Sequence, residues 1–105
     1  MRQFDICTNP NTRTRGRTPF LLVVQADLLS GLATRVVVPL VDMASIGSLP
    51  IGGLMPVFEV ESRIVVALIP EMAGISLADI GAVVSSAIGR RSDIIAALDL
   101  LITGF

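Results

Sequence analysis

Two apolar runs constrain the fold of this chain more than any other feature: Phe20-Leu21-Leu22-Val23-Val24-Gln25 and Arg35-Val36-Val37-Val38-Pro39-Leu40-Val41. Both are rich in β-branched residues and bounded by turn formers, so they read as strands. The spacing predicts that the second run closes near Pro39. Gln3-Phe4-Asp5-Ile6-Cys7 alternates polar and apolar residues and reads as an earlier strand, joined to Phe20–Gln25 by a long-looped hairpin. Pro56-Val57-Phe58-Glu59-Val60-Glu61 and Arg63-Ile64-Val65-Val66-Ala67-Leu68-Ile69 form a further pair, with room for a tight turn at Glu61 and Ser62.

The last third changes character. Ser76 to Ile88 carries apolar residues at helical spacing, interrupted at Gly81 and bounded by Gly89, and predicts a weak helix. A clearer helix follows, with Ser92 as N-cap and Asp93 in the first turn. At about 100° per residue, Ile94, Ile95, Leu98, Leu101 and Ile102 share one arc of roughly 120°, the expected buried stripe. Asp99 and Thr103 lie on the opposite side, Leu100 also falls outside the stripe, and Gly104 ends the helix before Phe105.

Composition narrows the function. The chain has 105 residues, room for one domain spanning 1–105, and 52% of them are hydrophobic. A domain this small hides so much apolar surface poorly, which predicts self-association, with a homodimer the expected form. A membrane span needs about 20 apolar residues in a row. The longest uncharged stretch, Met43 to Phe58, is broken by Gly47, Pro50, Gly52, Gly53 and Pro56. No signal-peptide block follows Met1, and the lone Cys7 has no partner for a disulfide, so the expected location is cytoplasmic. The net charge of −1 lacks the basic excess that phosphate neutralisation requires, so direct nucleic-acid binding is not expected. The one basic cluster, Arg13, Arg15 and Arg17, sits in a loop bounded by Pro10 and Pro19. It reads either as a solvated loop or as an anchor for an acidic partner segment.

Chemistry is sparse. There is no histidine, and all 8 basic residues are arginine, so an ordinary general base, a Schiff-base lysine and the common zinc sites are missing. Ile51-Gly52-Gly53-Leu54 lacks the Lys and Ser or Thr of a phosphate loop. Glu59 and Glu61 share a strand face and read as a solvated pair. What is left for an enzyme is a hydrolase of scattered carboxylates and arginine. A binding protein without catalytic residues or cofactor is the better reading.

Several segments together resemble the CcdB family. Phe20-Leu21-Leu22-Val23-Val24-Gln25-Ala26-Asp27-Leu28-Leu29, then Arg35-Val36-Val37-Val38-Pro39-Leu40, are similar to its second and third strands. Leu54-Met55-Pro56-Val57-Phe58-Glu59-Val60 fits its Pro-centred strand, and Met72-Ala73-Gly74-Ile75 its Met-Ala turn. Asp93-Ile94-Ile95, Ala97-Leu98-Asp99, Leu101 and Gly104-Phe105 fit its terminal helix. The likeness runs through nearly the whole chain in order.

The resemblance implies a mainly β fold: an SH3-like, barrel-type antiparallel sheet with a small hairpin wing and a C-terminal α-helix, assembled as a homodimer. It also implies a toxin of a type II toxin–antitoxin system that poisons DNA gyrase by binding its breakage–reunion subunit and is neutralised by a CcdA-like antitoxin. Carried over by position, the gyrase-facing residues are Gln3, Phe4, Leu28, Leu29, Asp99, Thr103, Gly104 and Phe105. Arg13, Arg15 and Arg17 are the expected antitoxin contacts. The family's well-known poison has Trp at the position of Thr103 and Asn at that of Asp99. Two alternatives stay open: a degenerate member that binds antitoxin but no longer poisons gyrase, and a small oligomerisation module.

Overall fold

The β-branched runs pair with each other through the backbone, in antiparallel register. In the computed structural model, which describes residues 1–104, seven strands form one sheet: β1 (Asp5–Thr8), β2 (Phe20–Val23), β3 (Thr34–Asp42), β4 (Val57–Val60), β5 (Arg63–Ala67), β6 (Ala73–Ser76) and β7 (Val83–Ser86). Their order is β4-β5-β3-β2-β1-β7, with β6 also paired to β3. The sheet curls into a half-barrel, followed by α1 (Arg91–Thr103), the one α-helix among the described residues. The mainly antiparallel β architecture with a C-terminal helix that the sequence predicts is therefore present.

All four residues of β2 are buried, which explains why its sequence is continuously apolar instead of alternating. Phe20, Leu22 and Val24 face the main core with Ile6, Val38, Leu40, Phe58, Val65 and the helix residues Ile94 and Ala97. Leu21 and Val23 point the other way, into a second cluster with Cys7, Val37 and Ile80. A third cluster of Val41, Val66 and Leu68 is covered by Met43, Ile46, Met55 and Val57.

Pro39 does not close its strand, because β3 continues to Asp42. The Pro39 carbonyl accepts from the Leu68 amide at 3.0 Å. In a strand the amide and carbonyl of one residue point to the same side, so the missing Pro39 donor faces that edge as well. There β3 passes from its pairing with β6 at Thr34–Val37 to its pairing with β5 at Leu40–Asp42, so the missing donor falls at the junction of the two ladders.

Five other expectations are corrected. Ser76 to Ile88 is no helix: Leu77–Asp79 makes one 3-10 turn and Val83–Ser86 is β7, paired with β1. The Met72–Ile75 turn is mostly strand β6. Ser92 lies inside the first turn of α1, whose N-cap position is Arg90 and carries no side-chain cap bond. The stripe is shifted as well, with Ala97 buried, Ile95, Leu98 and Leu101 partly buried, and Ile102 68% exposed. Finally, Glu61 sits in the β4–β5 turn and does not share a strand face with Glu59.

Candidate functional site

Between β2 and β3 the chain leaves the core entirely, and every residue from Ala26 to Thr34 is exposed. Leu28 is 92% exposed, Leu32 52% and Leu29 49%. Isolated surface leucines are ordinary, but three within five residues form a concentrated apolar patch. Short turns shape the loop: the Leu29 amide donates to the Ala26 carbonyl, Ser30 to Asp27, and Leu32 to Leu29, at 3.0–3.1 Å.

Two buried polar side chains hold this loop from below. The Gln25 amide nitrogen donates to the carbonyls of Leu29 (3.1 Å) and Thr34 (3.4 Å), while its oxygen accepts from the Val36 amide. The Arg35 guanidinium donates to the carbonyls of Leu32, Thr34 and Ser30 at 2.7–2.8 Å. Sequence reasoning did not assign a role to Leu32, Gln25 or Arg35. Polar residues at strand ends read as solvent-facing, and only the tertiary path of the loop turns them inward.

The N-terminal segment braces the same loop. The Gln3 amide donates to the Asp27 carboxylate at 2.8 Å, and its side chain donates to the Val24 carbonyl. Gln3 thus sits beside Leu28 and Leu29 in the architecture. Phe4 does not join them: it is 1% exposed and belongs to the main core.

The other carried-over residues lie at the end of α1. Asp99 and Thr103 are exposed, and the Thr103 hydroxyl donates to the Asp99 carbonyl at 2.7 Å. Gly104 has φ 79° and its amide donates to Leu100, an αL helix stop that glycine adopts without a Cβ penalty. Ile102, assigned to the core by periodicity, is instead exposed beside them. Phe105 lies outside the described residues. Gln3 lines a cleft with Arg91, at the helix start, and Thr103 is about 18 Å further along at about 1.5 Å per residue. The base of the leucine loop, at Asp27, thus meets the start of α1, and the carried-over tip residues lie at its other end.

Arg13, Arg15 and Arg17 all project from an exposed turn. Buried Asn9 organises it by donating to the Thr18 carbonyl and the Thr14 hydroxyl. None of the three arginines forms an ion pair among the described residues. Arg17 lines a groove of about 650 Å³ that also contains Glu71 and Asp79, whereas Arg15 lines a separate cleft with Glu61 and Arg63.

The described residues contain no group of three His, Cys, Asp or Glu side chains able to hold a metal ion. No helix among them is long and apolar enough to cross a membrane. Cys7 is buried, and burial pushes its thiol pKa up, with Asp5 adding to the rise and the N-terminal amine opposing it.

Sheet, helix and leucine loop define a small, mainly β protein whose most distinctive surface is an apolar loop tied down by buried polar side chains. The chain belongs to the CcdB protein family, which it matches over residues 3–104. That family consists of toxins of toxin–antitoxin systems that act on gyrase. No curated protein matches the chain.

Proposed function

We propose that this chain is the toxin half of a type II toxin–antitoxin pair, a homodimer that poisons DNA gyrase by binding its breakage–reunion subunit. The observation that carries this reading is the exposure of Leu28 and Leu29 on a tethered loop, in a chain of the CcdB family. Gln3 flanks that loop, and Asp99, Thr103, Gly104 and Phe105 supply a second contact at the helix end. Exposed Ile102 adds apolar area there, where Thr103 offers less than an aromatic residue would.

The protein acts by occupancy and not by turnover. It has neither histidine nor lysine to move protons or form covalent intermediates. Bound protein holds gyrase on cleaved DNA, and a CcdA-like antitoxin with an acidic segment removes it by engaging Arg13, Arg15 and Arg17. Charge attraction of that kind speeds association and weakens with salt.

Induced expression in a bacterial host tests the reading. The expected outcome is growth arrest with DNA breaks, and in vitro a chelator-insensitive gyrase–DNA cleavage complex that rises in proportion to added protein. Leu28→Ser with Leu29→Ser should abolish both. Normal growth together with tight antitoxin binding would replace the proposal with a member that binds antitoxin alone.

A further inference from the structure

A buried arginine without a carboxylate partner calls for an explanation. Arg35 is 9% exposed, yet its guanidinium forms no salt bridge among the described residues. All three of its hydrogen bonds go to backbone carbonyls of one segment, those of Ser30, Leu32 and Thr34. Gln25, also 9% exposed, adds the Leu29 carbonyl and again that of Thr34. Two buried side chains therefore gather four carbonyls of the segment that displays Leu28, Leu29 and Leu32.

Beyond its own short turns, the Gln3–Asp27 bond and the Leu77 amide on the Ala33 carbonyl, that segment relies on this clamp for its shape. None of its side chains from Ala26 to Thr34 is buried, so apolar packing does not order it. Nine exposed residues would otherwise sample many conformations, and the leucines would scatter. A guanidinium is suited to such a clamp, because its planar fork carries five donors in fixed directions and stays charged at any physiological pH. Lysine offers a single point charge on a flexible stem, without a fixed fork to hold three separated carbonyls at once.

We infer that Arg35 and Gln25 are positioning residues that preorganise the leucine loop for docking, and that Leu32 belongs to the docking surface with Leu28 and Leu29. This inference rests on the gyrase-binding reading of that loop and names what makes it competent. Preorganisation removes the cost of ordering the loop on binding. When only a fraction of molecules holds the competent shape, apparent affinity falls by that fraction. If the loop interconverts quickly, the loss falls on the association rate, whereas deleting a contact residue raises the dissociation rate.

The test compares the full chain with Arg35→Lys, Gln25→Leu and Leu32→Ser. Amide hydrogen exchange is measured on the free proteins, and binding kinetics on the immobilised breakage–reunion subunit of gyrase. Arg35→Lys and Gln25→Leu should accelerate exchange of the Leu29, Ser30 and Leu32 amides by at least about 10-fold while strand amides in β2 and β5 stay protected. Both should slow association by about 10- to 100-fold with little change in dissociation. Leu32→Ser should do the reverse, leaving loop exchange alone and speeding dissociation.

Arg35→Lys is the variant to weigh if a bolder replacement fails to fold, since it keeps charge and length while losing the fork. Unchanged loop exchange in Arg35→Lys and Gln25→Leu would overturn the clamp, as would faster exchange with wild-type association. Wild-type dissociation by Leu32→Ser would remove Leu32 from the surface. A parent protein that does not bind gyrase at all defeats the docking reading of the preceding section. In that case exchange on the free proteins still upholds or overturns the clamp.

Discussion

A methyl group on Gly81 would run into Thr8. An added Cβ would stand 2.8 Å from the Thr8 carbonyl and collide with the Thr8 hydroxyl. The Gly81 amide donates to that carbonyl at 2.9 Å, and this bond draws the 77–82 segment over Cys7, Leu21 and Val23. A side-chain hydroxyl can rotate away, but the carbonyl belongs to β1 and cannot. Gly81→Ala should therefore destabilise the protein by about 2–3 kcal/mol in urea unfolding, the cost typical of overpacking. Adding Thr8→Ala should recover only part of the loss. Cys7, beneath this lid, supports a second expectation. Its raised pKa means that the folded thiol keeps its proton through a pH range where the unfolded thiol loses it. Stability should thus fall as pH rises through the ordinary thiol range and beyond, with no contribution from Cys7 below it. Urea midpoints measured between pH 7 and pH 10 should decline more in the parent than in Cys7→Ala. At neutral pH, iodoacetamide should label the thiol only on unfolding.

At the scale of elements, the β4–β5 hairpin was legible in the sequence because its turn is local. Glu61 and Ser62 have φ of 49° and 66°, so both central residues occupy the left-handed region that a type I′ turn requires. Neither is suited to it. Replacing the pair by Asn-Gly keeps the turn geometry and removes the strain, and should stabilise the protein by about 0.5–1.5 kcal/mol in the same urea assay. A neutral or negative result would show that the Glu61 or Ser62 side chain has a packing role not apparent from its exposure. The Ser76–Ile88 segment failed for the opposite reason. Its apolar spacing fits a helix, but Gly81 must touch Thr8, and Val83 to Ser86 add to β1 across a bulge between Ile6 and Cys7. Contacts that distant in sequence override local periodicity. The helix stripe erred for a related reason: tertiary packing half-buries Leu100, whose side chain lies close to Gly53, and leaves Ile102 outside.

For the whole molecule, the question is what covers the apolar surface that one copy leaves open. The sequence nominated Gln3, Phe4, Leu28, Leu29 and the helix tip as contacts; Leu28, Leu29, Asp99, Thr103 and Gly104 are exposed, whereas Phe4 is buried in the core. The sequence could not have indicated that the base of the leucine loop meets the start of α1 and not its end, because that depends on how the helix packs on the sheet. Nor could it reveal the clamp, since Gln25 and Arg35 become buried only when β2 and β3 pair. Beyond these patches, Leu49 is 88% exposed, Ile88 60% and Ile51 54%. A stable dimer of ordinary size covers about 800 Å² on each partner. Against an accessible surface of 5929 Å², that is roughly one seventh of a copy, so an interface of this size would enclose such side chains together with their neighbours. We therefore expect static light scattering at tens of micromolar to give twice the mass of one chain. Because apolar burial would drive assembly and surface charge would not, the dimer should persist from about 0.05 M to 0.5 M salt, where exposed ion pairs are screened. Antitoxin binding at the Arg13–Arg17 loop should weaken over the same range. A monomer at tens of micromolar, or a dimer that dissociates as salt rises, would mean that the open apolar surface is reserved for other partners.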